Sequence, residues 1–243
     1  MHRCSLLQDV VHRDFTVNAL LLSMDKMVTA QQALRWDAKD VVDYVGGFED
    51  VQNGGILRVA PQRTAKQVLT ASPVRSLRAV KYCLRFEDEL VPGSGSGQRI
   101  DEELRRGIRE NGYLLKTVSY SVVQLVFASL IQSSSKSEQR MRRCMVLMEE
   151  LNLNGILSEM MVEEPSFCRY FLNAMSSLDA PIAAVLAQYG YPTVSTVEDE
   201  CIPRALKDRR QRQQQLDTEM ISCHCNFSAA VGVIDDVLRR LRA

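Results

Sequence analysis

The spacing of apolar positions divides the chain into a short mixed segment and a long helical one. Residues 18–24 form an apolar run that can end a helix and enter a strand. Asp25-Lys26 then predicts a turn into a strand at 27–29, and residues 30–39 are helical in composition, an insertion. Residues 41–47 return as a strand that ends on Gly46-Gly47, followed by a short helix over 49–53 and an apolar stretch at 56–59. Val74, Leu77, Val80 (or Lys81) and Leu84 recur at helical spacing, and predict a helix over 62–87 with a buried stripe. Pro73 interrupts that helix or starts it afresh, because its missing N–H is tolerated in a first turn.

Beyond this point the polar punctuation changes. Val91-Pro92-Gly93-Ser94-Gly95-Ser96-Gly97 reads as a flexible linker. From Gln98 onward the pattern stays helical: a charged amphipathic helix over 101–111 closed by Gly112, then a buried apolar helix over 114–131. A polar loop at 133–137 precedes a helix over 140–151, and further helices are predicted at 167–178, 181–189, 204–221 and 229–242. The fold class that follows is mainly α.

Composition narrows the function classes. A chain of 243 residues that is 46% hydrophobic and 25% charged is an ordinary globular protein. Thirty basic residues balance thirty acidic ones, so any nucleic-acid surface must come from local clustering. Seven cysteines, most of them scattered singly, suit reduced thiols in an intracellular compartment better than a disulfide framework. No apolar run approaches bilayer length, and the first ten residues make neither a signal peptide nor a convincing transit peptide. Arg204, Lys207, Arg209, Arg210 and Arg212 cluster on a predicted helix, as a solvated face or an RNA-phosphate contact. Cys223-His224-Cys225 lacks a second ligand pair at zinc spacing and reads as a reduced buried turn.

The stretch with chemistry in it is His12-Arg13-Asp14-Phe15-Thr16-Val17-Asn18-Ala19-Leu20. Arg presents a rigid fork of donors that fits phosphate oxygens, and an ionised Asp only accepts, which suits a sugar hydroxyl. The run resembles motif B of the class II tRNA nucleotidyltransferase (CCA-adding enzyme) and bacterial poly(A) polymerase family. Asp43, Gly46, Gly47, Asp50 and Arg58 resemble that family's Gly-Gly block. Residues 71–82 resemble its motif D, in which an Asp and an Arg hydrogen-bond the incoming base, and residues 114–123 resemble its neck. The resemblance covers about residues 11–160. It implies a remnant of an α/β nucleotidyltransferase head at 1–90, a linker at 91–97, a helical neck at 98–160 and a helical body or tail at 161–243.

The departures from the family's pattern lie where chemistry is done. No Asp-x-Asp pair precedes Arg13, so the chain offers no magnesium site, and no catalytic or metal residue is expected. The base-reading Glu-Asp is Ala71-Ser72, and the charged pair of the neck is Ser121-Val122, an apolar packing element. We therefore expect an RNA-binding, catalytically inactive relative acting in RNA processing or in a ribonucleoprotein assembly, with tRNA or rRNA as partner and no membrane. Arg13, Asp14, Asn18, Arg75 and Arg78 are the expected nucleotide- and RNA-binding residues. No cofactor is expected. The alternative is an active enzyme that adds CCA or poly(A) with Mg2+, CTP and ATP, its carboxylates lying upstream or on a partner. The mitochondrial matrix is the expected compartment, with the cytoplasm as alternative.

Overall fold

Ser5 begins the first helix, α1 (Leu6–Val11): its hydroxyl accepts from the N–H of Gln8, whose side chain accepts from the N–H of Ser5. This reciprocal cap satisfies two N–H groups that a helix start otherwise leaves open. The computed structural model describes residues 5–22, 38–90 and 99–192. They lie in the first of two units, Met1–Thr193; the second, Val194–Ala243, falls outside them. The expected turn and strand at 25–29, most of the insertion, the linker at 91–97, the basic cluster at 204–212 and Cys223-His224-Cys225 also lie outside the described residues.

After α1 comes a 3-10 turn, Thr16–Asn18, and then β1 (Leu21–Leu22). It pairs antiparallel with β2 (Val41–Val42), Leu21 opposite Val42 and Leu22 opposite Val41. The short helix expected at 49–53 is α2 (Gly47–Gln52). Past it, the N–H of Leu57 donates to the carbonyl of Arg99, and the N–H of Asp101 donates to that of Leu57 at 2.9 Å. This bridge returns the chain beyond the expected linker to the side of the head segment.

The helical stretch expected over 62–87, interrupted or started afresh at Pro73, is two helices. They are α3 (Ala65–Ala71), capped by Thr64 and Gln67, and α4 (Arg75–Leu90). The break falls at Ser72, which is extended (φ −157°, ψ 92°), because the ring of Pro73 bars the helical conformation in the residue before it. Val74, Leu77, Val80 and Leu84 are buried along this stretch, as their spacing requires.

The remaining elements are α5 (Glu102–Asn111), α6 (Tyr120–Ser134), α7 (Glu138–Glu150), α8 (Leu153–Glu163), α9 (Pro165–Met175) and α10 (Ala180–Gln188). Gly112 does not close α5 in the left-handed region; at φ −57° it continues into a 3-10 turn, Gly112–Thr117. The helix expected over 114–131 therefore starts late, at Tyr120. Ser133 and Ser134 end α6 and donate to the carbonyl of Leu130, both at 2.8 Å. The expected polar loop shrinks accordingly.

The fold is mainly α, with two short strands among the described residues. Helix α3 packs on α5, where a Cβ on Gly107 would lie 2.6 Å from that of Ala65, so only glycine allows the approach. Helix α4 packs on α6 and α7. Farther along, Phe127 stacks on Phe171 at 5.3 Å between ring centres, and Tyr191 closes the cluster at 5.6 and 5.5 Å. No helix among the described residues is long and apolar enough to cross a membrane.

Candidate nucleotide-binding site

Between α1 and the 3-10 turn the chain passes through Arg13 and Asp14, and the two side chains turn to different tasks. Arg13 folds back on its own neighbourhood. Its Nη2 donates to Asp9 Oδ2 at 3.0 Å and its Nη1 to the carbonyl of Asn18 at 3.2 Å. Asp14 points inward, with its side chain 7% exposed, and meets two guanidinium groups of α4. Arg75 Nε donates to Oδ1 at 2.6 Å, and Arg78 Nη1 lies 2.8 Å from Oδ2. The second contact is an ion pair at contact distance with no N–H aimed at the oxygen, so Oδ2 lacks a directional hydrogen bond.

Arg75 is fully committed to the chain. Besides Asp14, its Nη1 donates to the carbonyl of Val68 at 3.0 Å and its Nη2 to that of His12 at 2.9 Å. One guanidinium thus ties the end of α1, the middle of α3 and the start of α4 together. A buried pair of this kind resists disruption, because removing one partner leaves an uncompensated charge inside. Arg78 is more open, its side chain 29% exposed, and Arg13 more so at 36%.

Asn18 serves the backbone. Its Oδ1 accepts from the N–H of Phe15 at 3.1 Å, closing the 3-10 turn, and its Nδ2 lies 3.5 Å from the hydroxyl of Tyr82. Phe15 packs edge-on against the Tyr82 ring at 5.8 Å. Lys81, on the same helix, donates to Ser129 Oγ at 2.7 Å; desolvation, with Arg78 and Arg85 nearby, lowers its pKa.

A second buried carboxylate sits beneath the turn. Asp50, on α2, is 1% exposed, accepts from the hydroxyl of Thr16, and is gripped by Arg58 through Nε at 2.8 Å and Nη2 at 2.7 Å. The Gly-Gly block makes this possible by close packing. Gly46 takes φ 82°, while a Cβ on Gly47 would lie 2.0 Å from the carbonyl oxygen of Thr16. Asp43 holds the approach: its Oδ1 accepts from Val45 N at 2.9 Å and Gly46 N at 3.0 Å, its Oδ2 from Phe48 N at 2.9 Å. Burial pushes this carboxyl up, yet the backbone donors Phe48, Val45, Gly47 and Gly46 outweigh it and hold the pKa below its ordinary value.

The five expected ligand residues do come together around the start of α4, but the structure gives them unequal freedom. Arg13 and Arg78 keep exposed surface; Asp14, Arg75 and Asn18 are spent on internal contacts. Asp14 has little surface left for the expected ribose contact. The role of Asp50 and Thr16 was missed, and the signal for it was present in the Asp43–Arg58 block. Val122, expected to pack inside the neck, is 41% exposed, and Val123 takes the buried place because the helix begins six residues later than expected. The magnesium that the resemblance implies does not fit the described residues. Asp14 and Asp50 are already held by arginine, and no three His, Cys, Asp or Glu side chains gather there.

Residues 2–57 match the family model of the poly A polymerase head domain. Over 88 residues the chain is 32% identical to poly(A) polymerase I of Salmonella typhi and of Salmonella typhimurium (strain LT2), which is 36% of this chain and 16% of each relative. The chain thus spans about a sixth of the length of these curated relatives. The crystal structure of Bacillus stearothermophilus CCA-adding enzyme in complex with CTP aligns over 79% of this chain and 45% of its own, at 20% identity and a TM-score of 0.48. The N-terminal segment of the chain is thus similar to the head domain of poly(A) polymerases.

Proposed function

We propose that this chain binds RNA and has no template-independent nucleotide addition of its own, serving RNA processing or a ribonucleoprotein assembly. The observation that carries the reading is the state of Arg75. All three of its side-chain nitrogens donate inside the protein, and Ser72 stands where the resemblance calls for the base-reading Asp. A guanidinium that donates from every nitrogen inside the protein, and is only 13% exposed, has little left to offer a base edge. Arg13 and Arg78 retain exposed surface at the same place, and their donors suit phosphate oxygens. Buried Cys83 and Cys144 are free thiols that burial pushes up to about 12, which suits a reducing intracellular compartment.

The test is incorporation of CTP or ATP, with Mg2+, into a tRNA or oligo(A) 3′ end, beside a salt titration of RNA binding. We expect no incorporation, and binding that weakens as salt rises, because each phosphate contact releases counterions. Robust incorporation by the chain alone overturns the inactive reading; a flat salt response, or an Arg13→Ala variant with unchanged binding, overturns the RNA reading. The identity to poly(A) polymerase I favours the second reading, an active enzyme that draws its metal carboxylates from a segment upstream or from a partner. Activity that appears only when such a segment or partner is supplied selects it.

A further inference from the structure

An open groove of about 650 Å3 runs between the end of α1 and the exposed side of α3, with His12, Arg63, Thr64, Lys66 and Thr70 in its lining. Arg63 and Lys66 line it with His12, the hydroxyls of Thr64 and Thr70 and two amides, and no carboxylate is among the described residues of its lining. Among the described residues Arg63 has one side-chain partner, the carbonyl of Gln67 at 3.2 Å, and neither it nor Lys66 forms an ion pair. Several arginines elsewhere do meet carboxylates, among them Arg13, Arg58, Arg75, Arg78, Arg105 and Arg143. Burial, and then the charge of Arg75, lowers the pKa of Arg63.

We propose that this groove is a phosphate-binding site, with Arg63 and Lys66 as its charged donors and Thr64 and Thr70 as hydrogen-bonding partners. Its lining contains Ala71, where the resemblance calls for a Glu; a carboxylate at that point would repel the anion, and the methyl group does not. The groove joins the Asp14 clamp through His12, whose side chain lines it while its carbonyl accepts from Arg75 at 2.9 Å. The phosphate belongs to an RNA strand or to a nucleoside triphosphate, and the RNA source rests on the reading proposed above.

The experiment uses the full chain and three variants, Lys66→Ala, Arg63→Ala and Arg106→Ala. Arg106 is exposed on α5, and its replacement removes the same single charge away from the groove. Binding of fluorescein-labelled oligo(A), and separately of ATP and inorganic pyrophosphate, is followed across a salt series. We expect Lys66→Ala and Arg63→Ala each to weaken oligo(A) binding roughly threefold or more and to flatten the salt slope by about 0.7 for each charge removed, with little effect from Arg106→Ala. If ATP and pyrophosphate bind and respond to the groove variants while oligo(A) does not bind, the site stands with the nucleotide as source and the RNA reading fails. If oligo(A) binds and all three variants match the parent, or Arg106→Ala weakens it as much, the groove proposal fails and the RNA reading stands. Binding of none of the three probes overturns both.

Discussion

The head segment and the helical segment that follows it are stabilised by different chemistry. Both buried carboxylates among the described residues, Asp14 and Asp50, lie in the head, each facing arginine. Between α5 and Tyr191 the buried polar side chains are Asn111, Ser134 and Asn154, all neutral, among Met, Leu and Phe. The contrast follows from what each part has to work with. The short elements and two-residue strands of the head take their geometry from ion pairs and caps as well as from apolar burial. Helices of nine to fifteen residues close on one another through apolar stripes.

Removing a carboxylate from the head should produce the largest effect. Asp50→Ala strands Arg58 and the Thr16 hydroxyl, and should cost about 3–5 kcal/mol in urea unfolding. A cost below about 1 kcal/mol would mean that apolar packing holds the head as well. Gly47→Ala comes next, at about 3 kcal/mol, since its Cβ must push against a backbone carbonyl. The matching change in the helical segment has the opposite sign. A Cβ at Gly155 on α8 would meet nothing within 4 Å, so Gly155→Ala should stabilise by about 1 kcal/mol.

The two segments should also part company with pH. The Asp43 carboxyl is held below its ordinary value, so its stabilisation is present above the carboxylate range and fades as pH falls through the lowered pKa. Burial raises Tyr191 and Cys144, so their contribution is present at neutral pH and fades as pH rises past the ordinary phenol and thiol ranges. Hydrogen exchange should therefore show the head opening first in acid and the helices first in alkali. Asp43→Asn should cost about 1 kcal/mol at neutral pH and much less in acid, where the parent has lost the same charge. Smallest is Tyr191→Phe, which deletes the 2.9 Å bond to Asn154 Oδ1 for about 1 kcal/mol or less and leaves the aromatic stack in place.

Much of the helical segment was legible because burial and spacing agree: the α4 stripe, and α7, α9 and α10 within a few residues. Breaks were harder to place. Pro73 announced its own, but the late start of α6 at Tyr120 carries no sequence signal as plain, and it moved Val122 to the surface. In the candidate site, the identity of the residues was readable and their partners were not. Arg13 and Asp14 are adjacent in sequence yet answer to Asp9 on one side and to α4 on the other.

By itself the sequence determined a helical protein with a nucleotidyltransferase-like Arg-Asp turn, because periodicity and short motifs are local properties of the chain. Only the tertiary structure decided that Asp14 clamps Arg75 and Arg78 across more than sixty residues, that Gly47 is a packing joint, and that Arg63 and Lys66 line one groove with no ion pair to another described residue. Charge pairing depends on distances in space. A run of letters fixes which charges exist, and the fold fixes which of them remain open to a ligand.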